Sequence, residues 1–310
     1  MWRDIAPPMP GLSTQPLTLR RPQVTQHLAP SRPCGSGCAQ LELFTPPAGA
    51  SPSEAAEFDW DRHDVVVVGD SGGKDSGVLV HTVCTQADQA GQLHKVKVLH
   101  CDLGHTPNGH LIEWPGALEV ARDHAALYDV PFAVRRSQRW PSLWDRIMDH
   151  GNWPGYFARF CTSDTKTAVG RVFVDELAAE MRLGRPIRAG YAMGMRAEES
   201  RARAAKPVIE QHRMTAKTLR EVTTWLPIHH LKTDEVWKVH ADHGIPCHPA
   251  YQRVGRLSCR ACPLASRQDL VESARVNGDI FEEYAGAEEH MGKPFKKNLT
   301  LKRIIELARS

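Results

Sequence analysis

The sequence predicts an α/β protein, with a doubly wound, mostly parallel sheet followed by a C-terminal helical part that carries cysteines. Two observations predict this fold class. Short apolar runs alternate with longer segments of helical character in the middle of the chain, which is typical of parallel sheets with crossover helices. A glycine-rich turn directly follows the first apolar run, where open α/β sheets commonly bind a ligand at the carboxyl ends of their strands.

The elements are predicted in chain order from about residue 59. The four-valine run at 65–68 is bounded by polar and glycine residues, which indicates a buried parallel strand. Val78, Leu79, Val80 and Val83 predict a helix after the glycine turn. Further strands are predicted at 96–101, 132–134 and 187–192, and further helices at 117–128, 140–150 and 164–181.

Three parts of the chain are predicted. Residues 1–58 form a disordered tail, because they are rich in Pro, Ser, Gln and Ala and have no hydrophobic period. A transit peptide is an alternative for this segment, and its Cys34 and Cys38 could bind a metal. Residues 59–232 form a nucleotide-binding domain, and residues 233–310 form a helical part with a Cys-x-x-Cys turn.

The composition limits the class of protein. The chain has 310 residues, of which 41% are hydrophobic and 24% are charged, as in an ordinary globular protein. The net charge of +3 is too small to indicate a nucleic-acid partner. No apolar stretch is long enough for a membrane helix, and the N-terminus lacks the apolar core of a secretory signal. We therefore expect a cytoplasmic protein whose eight cysteines serve metal binding or catalysis rather than disulfides.

The glycine-rich turn is predicted to bind a phosphate or pyrophosphate. Two glycines allow successive N–H groups to point into one concavity, next to the positive end of a helix. The spacing is not that of a Walker loop, and an ordinary strand-to-helix turn is the alternative. The residues of this loop are Ser71, Gly72, Gly73, Lys74, Asp75 and Ser76.

Three more segments are predicted to reach the same edge of the sheet. Asp102 and Gly104 follow the second strand, where Asp102 would meet a ribose hydroxyl or a metal, or would simply form a turn. Lys166 lies in the first turn of a helix, where the helix dipole disfavours a cation, so a phosphate contact is the better explanation. Arg196 follows the fourth strand, and its guanidinium suits a bidentate phosphate contact.

The cysteines Cys161, Cys247, Cys259 and Cys262 are predicted to share one metal centre. Cys259 and Cys262 form a Cys-x-x-Cys turn, which can place two thiolates on one metal. A [4Fe–4S] cluster and a structural zinc ion are both compatible with four thiolates. A redox dithiol and ordinary buried cysteines are the alternatives.

Together these motifs resemble the phosphoadenosine phosphosulfate reductase family of the pyrophosphate-loop superfamily, which implies an adenine nucleotide alpha-hydrolase-like fold. The resemblance extends over about residues 60–290. The pattern is most similar to the DNA phosphorothioation sulfur-transfer branch, for two reasons. No cysteine follows Cys262, so the near-terminal Cys-Gly nucleophile of the assimilatory reductases is missing. In addition, Cys161 is single where the cluster-bearing reductases have a Cys-Cys pair.

The resemblance implies an enzyme that binds ATP, releases pyrophosphate and adenylates an acceptor for sulfur transfer. Lys74, Asp75, Lys166 and Arg196 would be catalytic, with Asp75 helping to place Mg²⁺. The implied partners are an adenine nucleotide, a sulfur donor such as a cysteine desulfurase and, as one candidate acceptor, a nucleic acid. Two alternatives remain open: a sulfonucleotide reductase, and a non-catalytic module that senses nucleotides or binds nucleic acid.

Overall fold

The computed structural model describes residues 58–310. The predictions for residues 1–57, including those for Cys34 and Cys38, lie outside the described residues. Across residues 58–310, no helix has both the length and the apolar character that crossing a membrane requires.

Strands and helices alternate through the first two thirds of the described chain, and helices follow. The strands are β1 Val65–Gly69, β2 Val96–Cys101, β3 Phe132–Arg135, β4 Ile187–Ala192, β5 Ile209–Gln211 and β6 Arg220–Trp225. The helices are α1 Lys74–Gln89, α2 Ala117–Ala126, α3 Leu143–His150, α4 Phe160–Thr162, α5 Ala168–Met181, α6 Arg201–Ala204, α7 Thr233–His243, α8 Arg267–Val276, α9 Gly278–Met291 and α10 Leu301–Arg309. A π-helical turn, Ser163–Thr167, joins α4 to α5.

The six strands form one sheet in the order β3-β2-β1-β4-β6-β5. Strands β1 to β4 and β6 pair in parallel, and β5 pairs antiparallel with β6 at the edge. The strand order reverses beside β1, because β2 lies on one side of it and β4 on the other. This reversal opens a crevice at the carboxyl ends of β1 and β4. The predicted fold class, including the C-terminal helical part, is confirmed.

The valine run is buried because helices cover β1 on both faces of the sheet. Val66 and Val68 pack in a core with α1, whereas Val65 and Val67 pack in a second core with α5. Successive side chains of a strand point to opposite faces, so a strand covered on both sides needs an apolar residue at every position.

The sequence analysis missed β5 and β6. The β6 segment begins with Arg220 and Glu221 and contains two threonines, so it lacks the apolar run that identified the other strands. The predicted helix 140–150 begins later, at Leu143, because Ser142 caps it by accepting a hydrogen bond from the Asp145 N–H at 3.2 Å. The predicted helix 164–181 opens with the π-turn instead of regular α-helix.

The C-terminal helices form a third core together with α3. Leu143, Trp144 and Ile147 of α3 pack there with residues of α8, α9 and α10. Helix α7 instead packs on α1, and its Val236 belongs to the core of the nucleotide-binding half. The predicted boundary between residues 232 and 233 therefore groups α7 with helices with which it shares no core.

Phe58, the last residue of the predicted tail, is buried against the sheet. Its ring stacks on Trp225 with the ring centroids 4.2 Å apart. The packed body of the protein therefore includes Phe58.

Candidate active site

The glycine loop lies tightly against the start of α2. Gly72 has a φ of +69°, which only glycine adopts without strain. A Cβ at this position would lie 2.9 Å from the carbonyl carbon of Ala117 and closer still to its oxygen. Both constraints make glycine the residue that this turn requires.

The N–H groups of the loop donate to protein oxygens in this structure. The Gly72 N–H donates to Asp70 Oδ1 at 2.8 Å, and the Gly73 N–H donates to Ser76 Oγ at 3.1 Å. The Ser71 N–H also donates to Ser76 Oγ, whose hydroxyl in turn donates to Asp70 Oδ1 at 2.7 Å. The carboxylate of Asp70 thus lies where an anion was expected, and a pyrophosphate contact with these amides stays a prediction.

Asp75 holds two of the predicted catalytic cations. Its Oδ2 lies 2.7 Å from Lys74 Nζ and its Oδ1 lies 2.7 Å from Arg196 Nε. The Arg196 side chain is only 4% exposed, and it also contacts Glu198 and Thr233 at the start of α7. Arg196 therefore links the end of β4, the loop and α7, and it does not line the crevice.

Two arginines that the sequence analysis did not select line the crevice instead. A cavity of about 230 Å³ lies between the loop and the segment after β4, and its walls include Arg203 and Arg256. Arg203 also pairs with Glu199, whereas Arg256 is exposed and has no hydrogen bond or ion pair within residues 58–310. Tyr251 borders this cavity, and its Oη accepts a hydrogen bond from the Lys74 N–H at 2.8 Å.

A second cavity of about 210 Å³ opens above the carboxyl ends of β1, β2 and β4. Leu99, Tyr191 and Met193 give it largely apolar walls, and Lys166 lies at its border. Apolar walls with a few polar groups are typical of sites that hold a flat organic ring. A nucleobase would fit the character of this cavity.

Asp102 does not reach these cavities. Its Oδ1 accepts a hydrogen bond from the Gly104 N–H at 2.7 Å, and its Oδ2 pairs with Arg136. Gly104 has a φ of +75° and lies against Pro141 and Ser142. The turn-forming alternative describes the contacts of Asp102, and its predicted contact with a nucleotide has no support in this geometry.

Lys166 projects from the π-turn into the crevice. Its ammonium makes no hydrogen bond or ion pair with the part of the chain that the structure describes. Burial lowers the pKa of Lys166, but the neighbouring thiol of Cys259 and the carboxylate of Glu113 outweigh this effect and raise the pKa. A charged, unpaired lysine at a cavity wall is suited to bind an anionic group.

Three of the four predicted metal ligands meet at a third cavity. Cys161, Cys259 and Cys262 line this cavity of about 170 Å³ together with Lys166 and Glu113. Burial raises the pKa of the Cys161 and Cys259 thiols. Thiolates are common ligands of both zinc and iron–sulfur clusters.

Cys247 differs from the other three cysteines. It is exposed and does not line the cavity that they share. Within residues 58–310, no group of three or more His, Cys, Asp or Glu side chains is arranged to hold a metal ion. In the described residues, the predicted four-cysteine centre is therefore not assembled: three of the cysteines share a cavity wall, and Cys247 lies apart from them.

Ser71 lines all three cavities. The glycine loop therefore stands at the junction of a polar pocket, an apolar pocket and a pocket with three thiols. The loop thus borders both the cavity with apolar walls and the cavity lined by the three thiols.

Residues 182–265 match the family model described as the phosphoadenosine phosphosulfate reductase domain. This segment of the chain is similar to that family. The matched segment contains Arg196 and three of the predicted metal ligands, Cys247, Cys259 and Cys262. The closer resemblance to the DNA phosphorothioation branch stays a prediction. The match supports the coarser functional prediction, an enzyme that uses a nucleotide in sulfur chemistry.

Solved structures with similar folds come from several enzymes, and no curated protein sequence matches the chain. Phosphoadenylyl-sulfate reductase from Candida auris, in a phosphate complex, is 15% identical over 60% of this chain and 76% of its own, with a TM-score of 0.39. The U34-tRNA thiolase NcsA from Methanococcus maripaludis, with its [4Fe-4S] cluster, is 14% identical over 82% and 76%, with a TM-score of 0.41. The NH3-dependent NAD synthetase from Campylobacter jejuni is 14% identical over 80% and 86%, with a TM-score of 0.31.

Proposed function

We propose that the protein binds ATP in the crevice, releases pyrophosphate and adenylates an acceptor oxygen that is then replaced by sulfur. The observation that carries this proposal is that three neighbouring cavities share Ser71 of the glycine loop, and that Lys166 and three thiols line them as well. The adenine would occupy the apolar pocket, and the phosphates would extend along the loop toward Arg203 and Arg256.

The cations of the site would act on the phosphates at different stages. Lys166 and Arg256 are unpaired in the described part of the chain and would meet the incoming anion first. Lys74 would exchange its contact with Asp75 for a phosphate oxygen, since the two contacts are similar in kind. Arg196 would remain on Asp75 and keep that carboxylate in place, where it would help to hold Mg²⁺ if the ion is bound.

The chemistry balances without an external oxidant. An acceptor oxygen attacks the α-phosphorus, the bond from this phosphorus to the bridging oxygen breaks, and pyrophosphate leaves. Cationic side chains around the phosphates stabilise the charge that develops on the leaving group. A persulfide carried by a donor such as a cysteine desulfurase then attacks the activated atom of the acceptor and displaces AMP. A second thiol reduces the resulting disulfide, so the sulfur stays on the acceptor and the donor leaves as a disulfide with that thiol.

The three thiols would hold an iron–sulfur cluster or zinc, as their chemistry suits either group. Such a centre would carry sulfur or electrons next to the nucleotide when it is bound. Cys161, Cys259 and Cys262, which line one cavity, are the candidate ligands, and Cys247 would join them only through movement of its exposed segment.

An arginine-rich groove beside the π-turn supports a nucleic acid as the acceptor. Four arginines and Trp140 line this groove of about 410 Å³, and only two acidic residues line it with them. The guanidinium carbons of Arg139 and Arg146 lie 4.4 and 4.5 Å from the centre of the Trp140 ring. Nearby in the chain, the rings of Tyr156 and Phe157 are fully or largely exposed. Arginines stacked on an aromatic ring, together with further exposed rings, are features of sites for single-stranded nucleic acid.

Binding of a fluorescent single-stranded oligonucleotide tests the acceptor class. We expect affinity to fall steeply as salt rises, and Arg139→Ala to weaken binding and to reduce the salt slope by about one. Arg303→Ala is the control, because this residue is exposed on α10 and does not line the groove. Equal binding by both variants, or binding that does not respond to salt, would exclude the groove.

The same three thiols support a second candidate, reduction of a sulfonucleotide. A thiolate of Cys161, Cys259 or Cys262 would attack the sulfate sulfur, break its bond to the nucleotide phosphate and take over the sulfonate group as the nucleotide leaves. A second thiol would then attack the cysteine sulfur, which releases sulfite and leaves a disulfide. The raised pKa of the Cys161 and Cys259 thiols opposes this reaction, because the thiolate is the attacking species.

One assay separates the two candidates. The protein is supplied either with ATP and an oligonucleotide or with phosphoadenosine phosphosulfate and thioredoxin, and both pyrophosphate and sulfite are measured. We expect pyrophosphate in the first mixture and little sulfite in the second. Robust sulfite release that is lost in Cys259→Ser would reject adenylation in favour of reduction.

A further inference from the structure

Three buried histidines contact the residues at the two ends of the glycine loop, Asp70 and Lys74. His124 contacts the Asp70 side chain, His100 contacts the Asp70 carbonyl, and His240 contacts the Lys74 carbonyl. All three rings are at most 6% exposed. None of them was selected in the sequence analysis, and none has a role in the proposed reaction.

Both ring nitrogens of His124 face groups that can only accept hydrogen bonds. Nδ1 lies 2.8 Å from Asp70 Oδ2, and Nε2 lies 2.9 Å from the carbonyl oxygen of Pro246. A neutral imidazole has one N–H, so it would leave one nitrogen lone pair against an oxygen lone pair. With Asp70 ionised, both contacts are hydrogen bonds only when His124 carries two protons and a positive charge.

The other two rings repeat this arrangement. His100 places Nδ1 3.0 Å from the Asp70 carbonyl oxygen and Nε2 3.3 Å from Glu113 Oε2. His240 places Nε2 2.8 Å from the Lys74 carbonyl oxygen and Nδ1 3.1 Å from that of Ile245. The backbone on both sides of the loop is therefore held by imidazole N–H donors.

The approach of His124 depends on a glycine in α1. A Cβ at Gly77 would lie 2.7 Å from His124 Nε2 and 3.1 Å from a methyl group of Ile245. Glycine in a helix interior costs about 1 kcal/mol relative to alanine. Gly77 therefore makes room for the imidazole at a cost in helix stability.

We propose that His124 is a positioning residue of the nucleotide site, which in its charged form neutralises Asp70 and thereby lets the loop accept a pyrophosphate. Asp70 Oδ1 holds the Gly72 N–H and the Ser76 hydroxyl, so its position fixes the loop. Its carboxylate is fully buried directly beneath the phosphate site, where an uncompensated negative charge would repel the ligand. This inference rests on the proposed function, because it concerns the same nucleotide.

The charges around His124 agree with this role. Burial lowers the pKa of His124, but the hydrogen bond and the charge of Asp70 outweigh burial and raise it, with a smaller contribution from Asp123 of α2. The carbonyl of Pro246 faces the ring from the segment after α7, and Gly77 faces it from α1. Because the folded-state pKa is raised, the contact is present at low pH and is lost as pH rises through that pKa.

The test combines NMR of the histidine nitrogens with equilibrium binding of ATP across pH 6–9. We expect the His124 nitrogens to show the imidazolium signature at pH 7, and the Gly72 amide shift to follow the His124 titration. ATP affinity should fall as His124 loses its proton, by up to about tenfold per pH unit. A neutral His124 at pH 6 would overturn the proposal.

Two variants distinguish positioning from general damage to the fold. His124→Gln should weaken ATP binding by about tenfold or more, as expected when a charge-assisted hydrogen bond is lost, and should flatten the pH profile. Adding Asp70→Asn should restore part of the affinity, because it removes the uncompensated carboxylate. The control is His63→Gln, which changes a buried histidine before β1, at the opposite end of the sheet from the loop.

The outcomes for the histidine and for the proposed function can be told apart. If the unmodified protein binds no ATP at any pH, the proposed function fails, and the NMR titration alone decides on His124. If ATP binds but His124→Gln keeps both the affinity and the pH profile of the unmodified protein, the positioning role is wrong while the proposed function stands.

Discussion

A pair of glycine substitutions measures how closely the loop packs on α2. Gly72 and Gly91 have nearly the same φ, +69° and +67°. A Cβ at Gly91 would meet nothing within 4 Å, so Gly91→Ala carries only the cost of the left-handed conformation, about 1 kcal/mol. Gly72→Ala carries the same cost and also drives a methyl group into the backbone of Ala117.

The difference between the two variants in the free energy of unfolding measures the cost of the steric overlap at Gly72. Backbone cannot yield as a flexible side chain does, and overpacking typically costs about 1–3 kcal/mol. We expect Gly72→Ala to lower the free energy of unfolding by about 2–4 kcal/mol and Gly91→Ala by about 1 kcal/mol. Urea unfolding followed by circular dichroism measures both values, and ATP binding should fall in Gly72→Ala alone. Equal destabilisation by the two substitutions would refute the close packing of the loop.

Three further predictions concern the site and the body of the protein. Lys74→Ala should weaken ATP binding by about 1.5–3 kcal/mol, the value of a charge-assisted contact, and calorimetry showing unchanged affinity would reject this contact. Cys259→Ser should lower the metal content of anaerobically purified protein while Cys84→Ser leaves it unchanged, because Cys84 is buried on α1 away from the thiol cavity; equal metal in both variants would contradict this grouping. Phe58→Ala should lower the free energy of unfolding by about 3 kcal/mol, whereas Phe157→Ala, which changes an exposed ring, should leave it nearly unchanged; equal melting temperatures would show that Phe58 does not stabilise the body.

Local sequence signals predicted the first half of the sheet well. The valine run at Val65 and the apolar segment at Val96 are strands whose side chains meet helices on both faces, so their apolar character is continuous. Strand β6 escaped prediction because its central position in the sheet is set by pairing with β4, not by an apolar run of its own. The edge strand β5 is only three residues long and has a single large apolar residue, Ile209.

The candidate site was predicted only in part, because contacts between distant segments decide its chemistry. The glycine loop and Lys166 lie at the crevice as the sequence indicated. Arg203 lines the crevice where Arg196 was expected, since only the fold brings Asp75 against Arg196. Asp70 and His124 lie 54 positions apart in the sequence, and no local pattern indicates that they form a buried pair.

Exchange of labelled pyrophosphate into ATP tests the central claim most directly. In the reverse of adenylation, labelled pyrophosphate attacks the α-phosphorus of the adenylated acceptor and re-forms ATP. Label enters ATP by no other route in this mechanism. We expect exchange that requires the acceptor, is lost in Lys74→Ala and persists in His63→Gln. Formation of ADP and phosphate without exchange would contradict adenylation, and so would exchange that is unaffected by Lys74→Ala.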